Sequence, residues 1–471
     1  MEGYTDPTET KPRYLLAVGS AYLGSYAVGA ALGYSSPVTD KFVQAYRISD
    51  EYFGSVIALG ALFGGLVASY PAEKLGRKFT ILFSAAIFAL GWTLMLIRSG
   101  PWMLYLSRAI LGLAIGIDSM VVPVYLGEIS PVEKRGILGA GHQLNCVIGI
   151  LVTYIFGVLM GPSLLAITCI IPVVLNALAI FFMPESPTWL SKNKRPIGEI
   201  MSSLYFLYGR TVRAEAQREL LQEAQDNTAN DFVITDLFHR SVLAPLLIAL
   251  GIMLAQQGSG INAVVFYTKN IFIQAGVTSI DPGVQTIIVG FVLVVFTVPG
   301  ALLMDKAGRR PLLLISSSAT LFGTILFIVF YAIRPATGAV PGSIAWMPIA
   351  GLSIYVAGFA CGLGPVPWLM MGELLPVRAR GAGTGIATAF NWFCAFLVTF
   401  IFPDVSKSPG PHYAFAFFAV ITVLGIAMVI FLVPETKGKS LEEIEALFDT
   451  RADLALSSVD TVETTNSFKI Q

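Results

Sequence analysis

The sequence has little charge. Of its 471 residues, 13% are Asp, Glu, Lys or Arg, whereas 55% are hydrophobic. A soluble domain usually carries about 25% charged residues. A soluble chain of this length could not cover its surface with so few charges. The deficit therefore argues against a soluble enzyme or binding module and favours a membrane protein.

The charges that are present show no excess of either sign. The chain has 30 basic and 30 acidic residues, whereas a nucleic-acid-binding protein would show a concentrated basic excess. All four cysteines lie inside apolar runs, so a disulfide framework is not predicted. The first apolar run has no small-residue cleavage site after it. We therefore predict that it is a retained membrane helix and not a signal peptide.

Twelve apolar windows are long enough to cross a bilayer, which requires about 20 mainly apolar residues in a helix. We number them as spans 1 to 12. They lie near 14–35, 52–71, 79–97, 102–127, 139–160, 163–183, 241–271, 283–304, 311–333, 346–374, 383–403 and 412–433. The sequence thus predicts an all-α membrane protein with twelve transmembrane helices in two six-helix halves.

The windows divide the chain into five parts. We predict a tail, a six-helix half, a linker with short helices, a second half and a second tail, at 1–13, 14–183, 184–240, 241–433 and 434–471. The loops after the even-numbered spans contain 17 Lys and Arg residues, against six in the other loops. Basic loops stay on the cytoplasmic side of a membrane. Both termini and the linker are therefore predicted to be cytoplasmic, at the plasma membrane or an endomembrane.

A charged ten-residue segment occurs twice. GEISPVEKRG (127–136) and GELLPVRARG (372–381) share six of ten residues, and each follows the fourth span of its half. Two shorter pairs occupy matching positions, namely LGRK (75–78) with AGRR (307–310) and PES (184–186) with PET (434–436). Three pairs in register indicate a duplicated six-span unit. Parallel six-span repeats are the architecture of the major facilitator superfamily.

The charged residues of these segments all map to one membrane face. Carboxylates and guanidiniums at helix ends can form forked, charge-assisted hydrogen bonds. We predict a gating network whose ion pairs link the two halves when that face is closed and separate when it opens. Its predicted members are Arg77, Glu128, Arg135, Glu185, Arg309, Arg310, Glu373, Arg378, Arg380 and Glu435.

Polar side chains inside membrane spans are candidates for a functional site. Span 5 contains Gln143, span 7 contains Gln256, Gln257 and Asn262, and span 11 contains Asn391. Neutral amides can both donate to and accept from hydroxyl groups. They predict an uncharged, polyhydroxylated ligand better than an ion or an amino acid. The alternative is that such amides only bond neighbouring helices.

Two spans also carry helix breakers. Span 7 has Gly258 and Gly260 beside its amides, and span 10 has GLGPVPW ahead of and including Trp368. Proline removes a backbone donor and glycine lowers the cost of unwinding. Irregular backbone at membrane depth is tolerated where it lines a cavity. We therefore predict ligand contact for the span 7 amides. Asn145 is predicted to bond a neighbouring helix, and for Trp368 packing and ligand contact remain open.

The motifs PESP, QQxSGINAVxFY, GPVPW, xGRR and PETKG together resemble the sugar porter family, which includes the facilitative glucose transporters. The resemblance runs from about residue 14 to 450 and is greatest to class III (intracellular-type) facilitators and invertebrate trehalose transporters. It implies the major facilitator fold. It also implies seven sugar-binding residues: Gln143, Gln256, Gln257, Asn262, Phe359, Trp368 and Asn391. The chain departs from the family at Leu293, Ala360 and Ala395, where glucose facilitators have polar residues.

The resemblance implies transport of a neutral sugar, and we expect facilitative uniport of a hexose such as glucose by alternating access. Proton-coupled relatives carry an aspartate in span 1, which has no acid here. A proton–sugar symporter, a trehalose or polyol carrier and a non-transporting sugar sensor remain alternatives. We expect no enzyme activity, cofactor, metal or nucleic-acid partner. The expected partners are the sugar and membrane lipid, with a monomer as the functional unit.

Asp118, within span 4, is not explained by the resemblance. A charged carboxylate at the middle of a membrane costs about 2.5–3.5 kcal/mol on insertion scales. Two interpretations are open. Asp118 pairs with Arg108, ten residues earlier, or it binds and releases a proton. The absence of an acid from span 1 favours a structural role.

Overall fold

The structure, a computed structural model, describes residues 13–131, 134–209, 239–335, 340–376, 379–408, 410–439, 443–445 and 447–448. Arg378 lies outside these ranges, and so does the side chain of Arg380. Statements below refer to the described residues.

Twelve helices are long and apolar enough to cross a membrane, as the sequence predicts. In the first half, spans 1 to 6 are Tyr14–Gly33, Asp50–Lys74, Arg77–Ile97, Pro101–Ile129, Arg135–Leu159 and Pro162–Phe181. In the second half, span 8 is Pro282–Ala307, span 9 is Arg309–Ile333, span 11 is Arg380–Lys407 and span 12 is Pro411–Phe431. The prediction of two six-helix halves is confirmed.

Spans 7 and 10 are each broken into two helices. Span 7 consists of Arg240–Gly258 and Ile261–Ala275, and span 10 of Met347–Cys361 and Val366–Leu374. Both breaks occur at the glycine-containing segments that the sequence marks. The predicted irregular backbone is therefore present at membrane depth in both spans.

Three shorter helices complete the described fold. Ser35–Tyr46 continues from the end of span 1, and Pro187–Lys192 and Ile197–Tyr208 follow span 6. We call the end of the bundle that holds the last two helices the linker face and the other end the far face. The backbone N–H of Arg13 donates to the carbonyl of Leu207 at 3.0 Å, which places the start of span 1 at the linker face.

Small residues let the spans of the first half approach closely. A Cβ added at Gly60 of span 2 would collide with the backbone of span 4, and one at Gly116 of span 4 would collide with the backbone of span 2. Close approach of backbones is how helices associate in a membrane, where burial of apolar surface gives no net driving force. These contacts make the first half a tightly packed unit.

Candidate functional site

The break in span 7 is held by its own hydrogen bonds and by an aromatic contact. Gly260 has φ +95°, and a Cβ at this position would enter the ring of Phe418. The hydroxyl of Ser259 donates to the carbonyl of Gln256 at 2.6 Å, and Tyr355 donates to the carbonyl of Ser259 at 3.0 Å. Only glycine adopts the positive φ of position 260 without strain. The break therefore has a defined geometry that orients the amides on either side of it.

The break in span 10 is tied both to span 9 and to span 7. Ser316 of span 9 donates to the carbonyl of Gly358 at 2.7 Å and accepts from the backbone N–H of Leu363 at 2.7 Å. The carbonyls of Leu363 and Gly364 accept from the amide nitrogen of Gln256 at 2.7 and 2.9 Å. Helix unwinding thus frees two backbone acceptors, and the first glutamine of span 7 occupies both.

Four side-chain amides form a continuous network at this junction. Gln257 donates to Asn391 at 2.9 Å, Asn391 donates to Gln256 at 2.7 Å, and Asn262 donates to Gln257 at 2.8 Å. The four side chains are at most 7% exposed. Asn391 also approaches the sulfur of Met253 at 3.2 Å. The network is buried, uncharged and hydrogen-bonded within itself, and it joins spans 7, 10 and 11.

The other predicted contact residues surround the break in span 10. The amide nitrogen of Gln143, from the first half, lies beside Gly364, and the ring of Phe359 lies against the same glycine. Trp368 is half-buried and packs on a cluster that includes Met253. The structure therefore brings residues from both halves to one place, and it seats the indole on apolar neighbours one turn beyond the break.

Some expectations for polar residues need correction or refinement. Asn145 donates to the carbonyl of Gly141 at 2.8 Å, within its own helix, so the prediction that it bonds a neighbouring helix is wrong.

The departures from the family pattern, Leu293, Ala360 and Ala395, are all buried, at 4%, 2% and 0% exposure. They add apolar surface, where glucose facilitators are expected to have polar groups.

Sequence reasoning missed the groups that support the network. The carbonyls of Leu363 and Gly364 could have been inferred, because an unwound GLGP segment leaves backbone acceptors without helical partners. Ser316 and Tyr355 gave no such signal, since a lone hydroxyl in an apolar span is common and usually bonds within its own helix.

Comparison with known proteins identifies the family. Residues 20–448 match the family model described as Sugar (and other) transporter. The chain belongs to this family. The transporter is 40% identical over 451 residues to the facilitated trehalose transporter Tret1 of Polypedilum vanderplanki. This alignment covers 93% of this chain and 89% of the relative. It is 39% identical over 441 residues to Tret1 of Aedes aegypti, but there it spans 54% of the relative's length.

The fold also matches a solved structure. The proton:xylose symporter XylE bound to 6-bromo-6-deoxy-D-glucose superposes with a TM-score of 0.78 at 24% identity, over 92% of this chain and 99% of that one. At this identity the likeness shows the fold alone, which is the major facilitator fold. The protein is therefore a multi-pass membrane transporter of sugar and not an enzyme.

At the linker face of the first half, three charged residues of the transporter form one cluster. Arg77 makes two hydrogen bonds to Glu128, both at 3.0 Å. Glu185 accepts from the backbone N–H groups of Arg77 and Lys78, at the start of span 3. Burial raises the pKa of the Glu185 carboxyl, although the backbone hydrogen bonds and Arg77 act in the opposite direction. Gly76 has φ +99°, and a Cβ there would collide with that carboxylate.

The second half repeats this cluster. Arg309 pairs with Glu373 at 2.8 Å, and Glu435 accepts from the backbone N–H groups of Arg309 and Arg310 at 2.9 and 3.0 Å. Gly308, with φ +93°, corresponds to Gly76. Burial acts to raise the pKa of Glu435, but four backbone hydrogen bonds outweigh it, so this pKa lies below its ordinary value. The matched motifs therefore form the same cluster at the linker face of each half.

Each of these contacts joins residues of the same half, so the ion pairs seen among the described members of the predicted gating network do not link the halves. Arg378 and the side chain of Arg380 lie outside the described residues, and the network as a whole stays a prediction. Ion pairs between the halves occur at the far face, where Lys407 meets Asp50 at 2.7 Å and Lys269 meets Asp40 at 3.9 Å. A cavity of about 210 Å³ lies beside the second pair, lined by both halves, and Tyr154 is on its wall. The linker-face clusters thus join elements within each half, and the far-face pairs bridge the two halves.

Arg108 does not pair with Asp118. Its guanidinium is fully buried, stands 5.1 Å from the ring centre of Phe53, and donates to the carbonyls of Phe53 and Ala31 at 3.2 and 2.9 Å and to the hydroxyl of Ser35. Ten residues along a helix separate two groups by about 15 Å. At an effective dielectric constant of 20, their attraction is then about 1 kcal/mol. Burying an ion costs several kcal/mol. The pairing interpretation is therefore wrong.

Proposed function

We propose that this transporter carries an uncharged sugar down its gradient by alternating access. The observation that carries the proposal is the buried network of Gln256, Gln257, Asn262 and Asn391, which contains no charged side chain. A sugar hydroxyl can replace each amide partner, because it also donates and accepts. A typical hydrogen bond contributes only about 1 kcal/mol net. Replacing an amide partner by a sugar hydroxyl then changes the free energy little, and the sugar can be released to either side.

The arrangement of the two halves supports alternating access. Gln143 reaches the break in span 10 from the first half, whereas the amide network belongs to the second half. A ligand at this point would touch both. Lys407 and Lys269 bridge the halves at the far face, so that face is closed in this state. Opening it requires these pairs to separate while each half keeps its own Arg–Glu cluster.

For the cargo, we propose a sugar built of glucose units, with trehalose as the first candidate. Relatives about 40% identical to this chain are named facilitated trehalose transporters. The small, buried side chains of Ala360 and Ala395 remove polar contacts and leave more room than larger polar residues would. Glucose is the second candidate, since the amides gathered at one junction suit a single sugar ring.

For the mechanism, we propose uniport. The buried guanidinium of Arg108 is satisfied by the carbonyls of Phe53 and Ala31 and by Ser35, and no carboxylate among the described residues pairs with it. The alternative, proton symport, requires an acid that exchanges protons with both sides of the membrane. Span 1 provides none.

Uptake into proteoliposomes tests the cargo and the coupling together. Labelled trehalose, glucose, fructose and a polyol are offered with and without an imposed pH gradient. We expect trehalose and glucose to equilibrate and to compete with each other, and neither to accumulate above its external concentration. Accumulation driven by the pH gradient would refute uniport, and uptake of the polyol alone would refute the proposed cargo.

A further inference from the structure

Asp118, on span 4, lies where three other helices of the first half meet this span. Its side chain is 1% exposed. A Cβ added at Gly24 of span 1 would lie 2.9 Å from one carboxylate oxygen of Asp118. The same added Cβ would lie 3.4 Å from the amide nitrogen of Asn176, on span 6. The hydroxyl of Ser84, on span 3, is the neighbouring group on the other side. Glycine at position 24 is what allows span 1 to pack against the carboxyl.

The carboxyl is poorly satisfied as an anion. Within the described part of the chain, Oδ1 is buried and receives no hydrogen bond. Asn176 directs its amide N–H to the carbonyl of Ser20 at 2.8 Å, and so towards span 1. An ionised carboxylate needs several donors or a cation when it is removed from water.

The elements around span 4 bring no cation to this place. Spans 2, 3 and 11 carry charged residues only near their ends, and Arg108 and Glu128 lie ten residues to either side of Asp118 on span 4 itself. The nearest helices contribute the following titratable groups: Tyr22, Tyr26, His142, Cys146 and Cys169. His142 is bonded to Ser25 of span 1 at 2.8 Å. No side-chain cation of the described residues therefore neutralises the carboxyl, and protonation is the remaining way for this chain to remove its charge.

We propose that Asp118 is a proton-binding site that locks span 1 onto spans 4 and 6. In the neutral acid, the O–H group can donate to the hydroxyl oxygen of Ser84, and the amide group of Asn176 lies close to the carboxyl on the side of span 1. Loss of the proton leaves a buried anion that has Ser84 beside it but no donor to Oδ1 among the described residues. Hydrating this anion requires span 1 to move so that Gly24 no longer packs against the carboxyl. The bound proton is part of the packing and is not carried across the membrane with the sugar. Alkaline conditions therefore loosen the first half.

Thermal unfolding of the purified protein between about pH 5.5 and about pH 8.5 tests the proposal without any transport assay. We expect the melting temperature of the parent to fall with rising pH by about 2–4 °C or more, a shift typical of the loss of one buried interaction. Asp118→Asn, which keeps the shape of the neutral acid, should remove most of this fall. If the asparagine variant does not fold, Asp118→Ala takes its place. The melting temperature of Asp118→Ala should likewise not depend on pH.

His142→Gln is the matched control, because it removes a second titratable group that contacts span 1, through Ser25. It should retain the parent's dependence on pH. A parent whose melting temperature does not change over this range would overturn the proposal. So would an Asp118→Asn protein that is as sensitive to pH as the parent, or a dependence that disappears only in His142→Gln.

The consequence for transport rests on the proposed function. Equilibrium exchange of labelled trehalose or glucose by the parent should change severalfold between the two pH values and should vary much less in Asp118→Asn. If the parent exchanges no sugar at any pH, the proposed cargo fails, whereas the unfolding experiment still decides the proton site. Net proton movement with the sugar, measured with a pH dye inside the vesicles, would contradict a resident proton.

Discussion

Replacing Gln256 by alanine should weaken sugar binding. The side chain makes hydrogen bonds to two span 10 carbonyls, at 2.7 and 2.9 Å, and accepts one from Asn391 at 2.7 Å. Each buried group left without its partner costs about 1–3 kcal/mol. If the sugar uses the same groups, its affinity should fall by a comparable amount, about 5- to 150-fold. Yield should remain near normal, because Ser316 still holds the span 10 break and Ser259 and Tyr355 still hold the span 7 break.

The assay is the dissociation constant for trehalose and glucose, measured on purified protein by competition with a labelled sugar. Gln285→Ala is the matched control. Gln285 is also a buried glutamine bonded to a backbone carbonyl, that of Ile280 at 2.8 Å, but it lies near the far face at the start of span 8. Its loss should leave affinity unchanged. Normal binding and transport by both Gln256→Ala and Gln257→Ala would refute the assignment of span 7 as the binding site.

Two further predictions concern the clusters and the far face. The pKa of Glu435 is lowered, so its ionised form stabilises the fold at neutral pH and this contribution is lost as pH falls. The pKa of Glu185 is raised, so its contribution is present at low pH and lost as pH rises. Glu435→Gln should therefore lower the melting temperature at pH 7 more than Glu185→Gln, and equal effects would contradict the asymmetry. Lys407→Ala breaks a bridge between the halves. It should speed maleimide labelling of a cysteine placed at Thr286 in the far-face cavity, whereas Lys192→Ala, which breaks a pair within one half, should not.

The sequence was sufficient to predict the fold. Windows of about 20 apolar residues are dictated by the thickness of the bilayer, and the ends of the helices follow from the charged and turn residues beside them. The predicted window 79–97 became Arg77–Ile97, and the glycine-containing segments of spans 7 and 10 became breaks. These features depend on local composition, which a single sequence contains.

The partners of charged side chains could not be predicted in the same way. Glu128 and Glu373 occupy equivalent places at one face, and an arginine could in principle reach either carboxylate. The loop after span 2 brings Arg77 to Glu128 of its own half, which depends on helix packing and not on local composition. In contrast, the separation of Arg108 and Asp118 was available from helix geometry, because ten residues rise about 15 Å. The seven sugar-contact residues remain a prediction.

Counterflow in proteoliposomes tests the central claim most directly. Vesicles are preloaded with unlabelled trehalose or glucose and diluted into a trace of the labelled sugar at equal pH on both sides. Alternating access through one site predicts a transient accumulation of label that Gln256→Ala diminishes and Gln285→Ala does not. A parent protein that binds either sugar but shows no uptake or counterflow would be a sensor and would contradict the account.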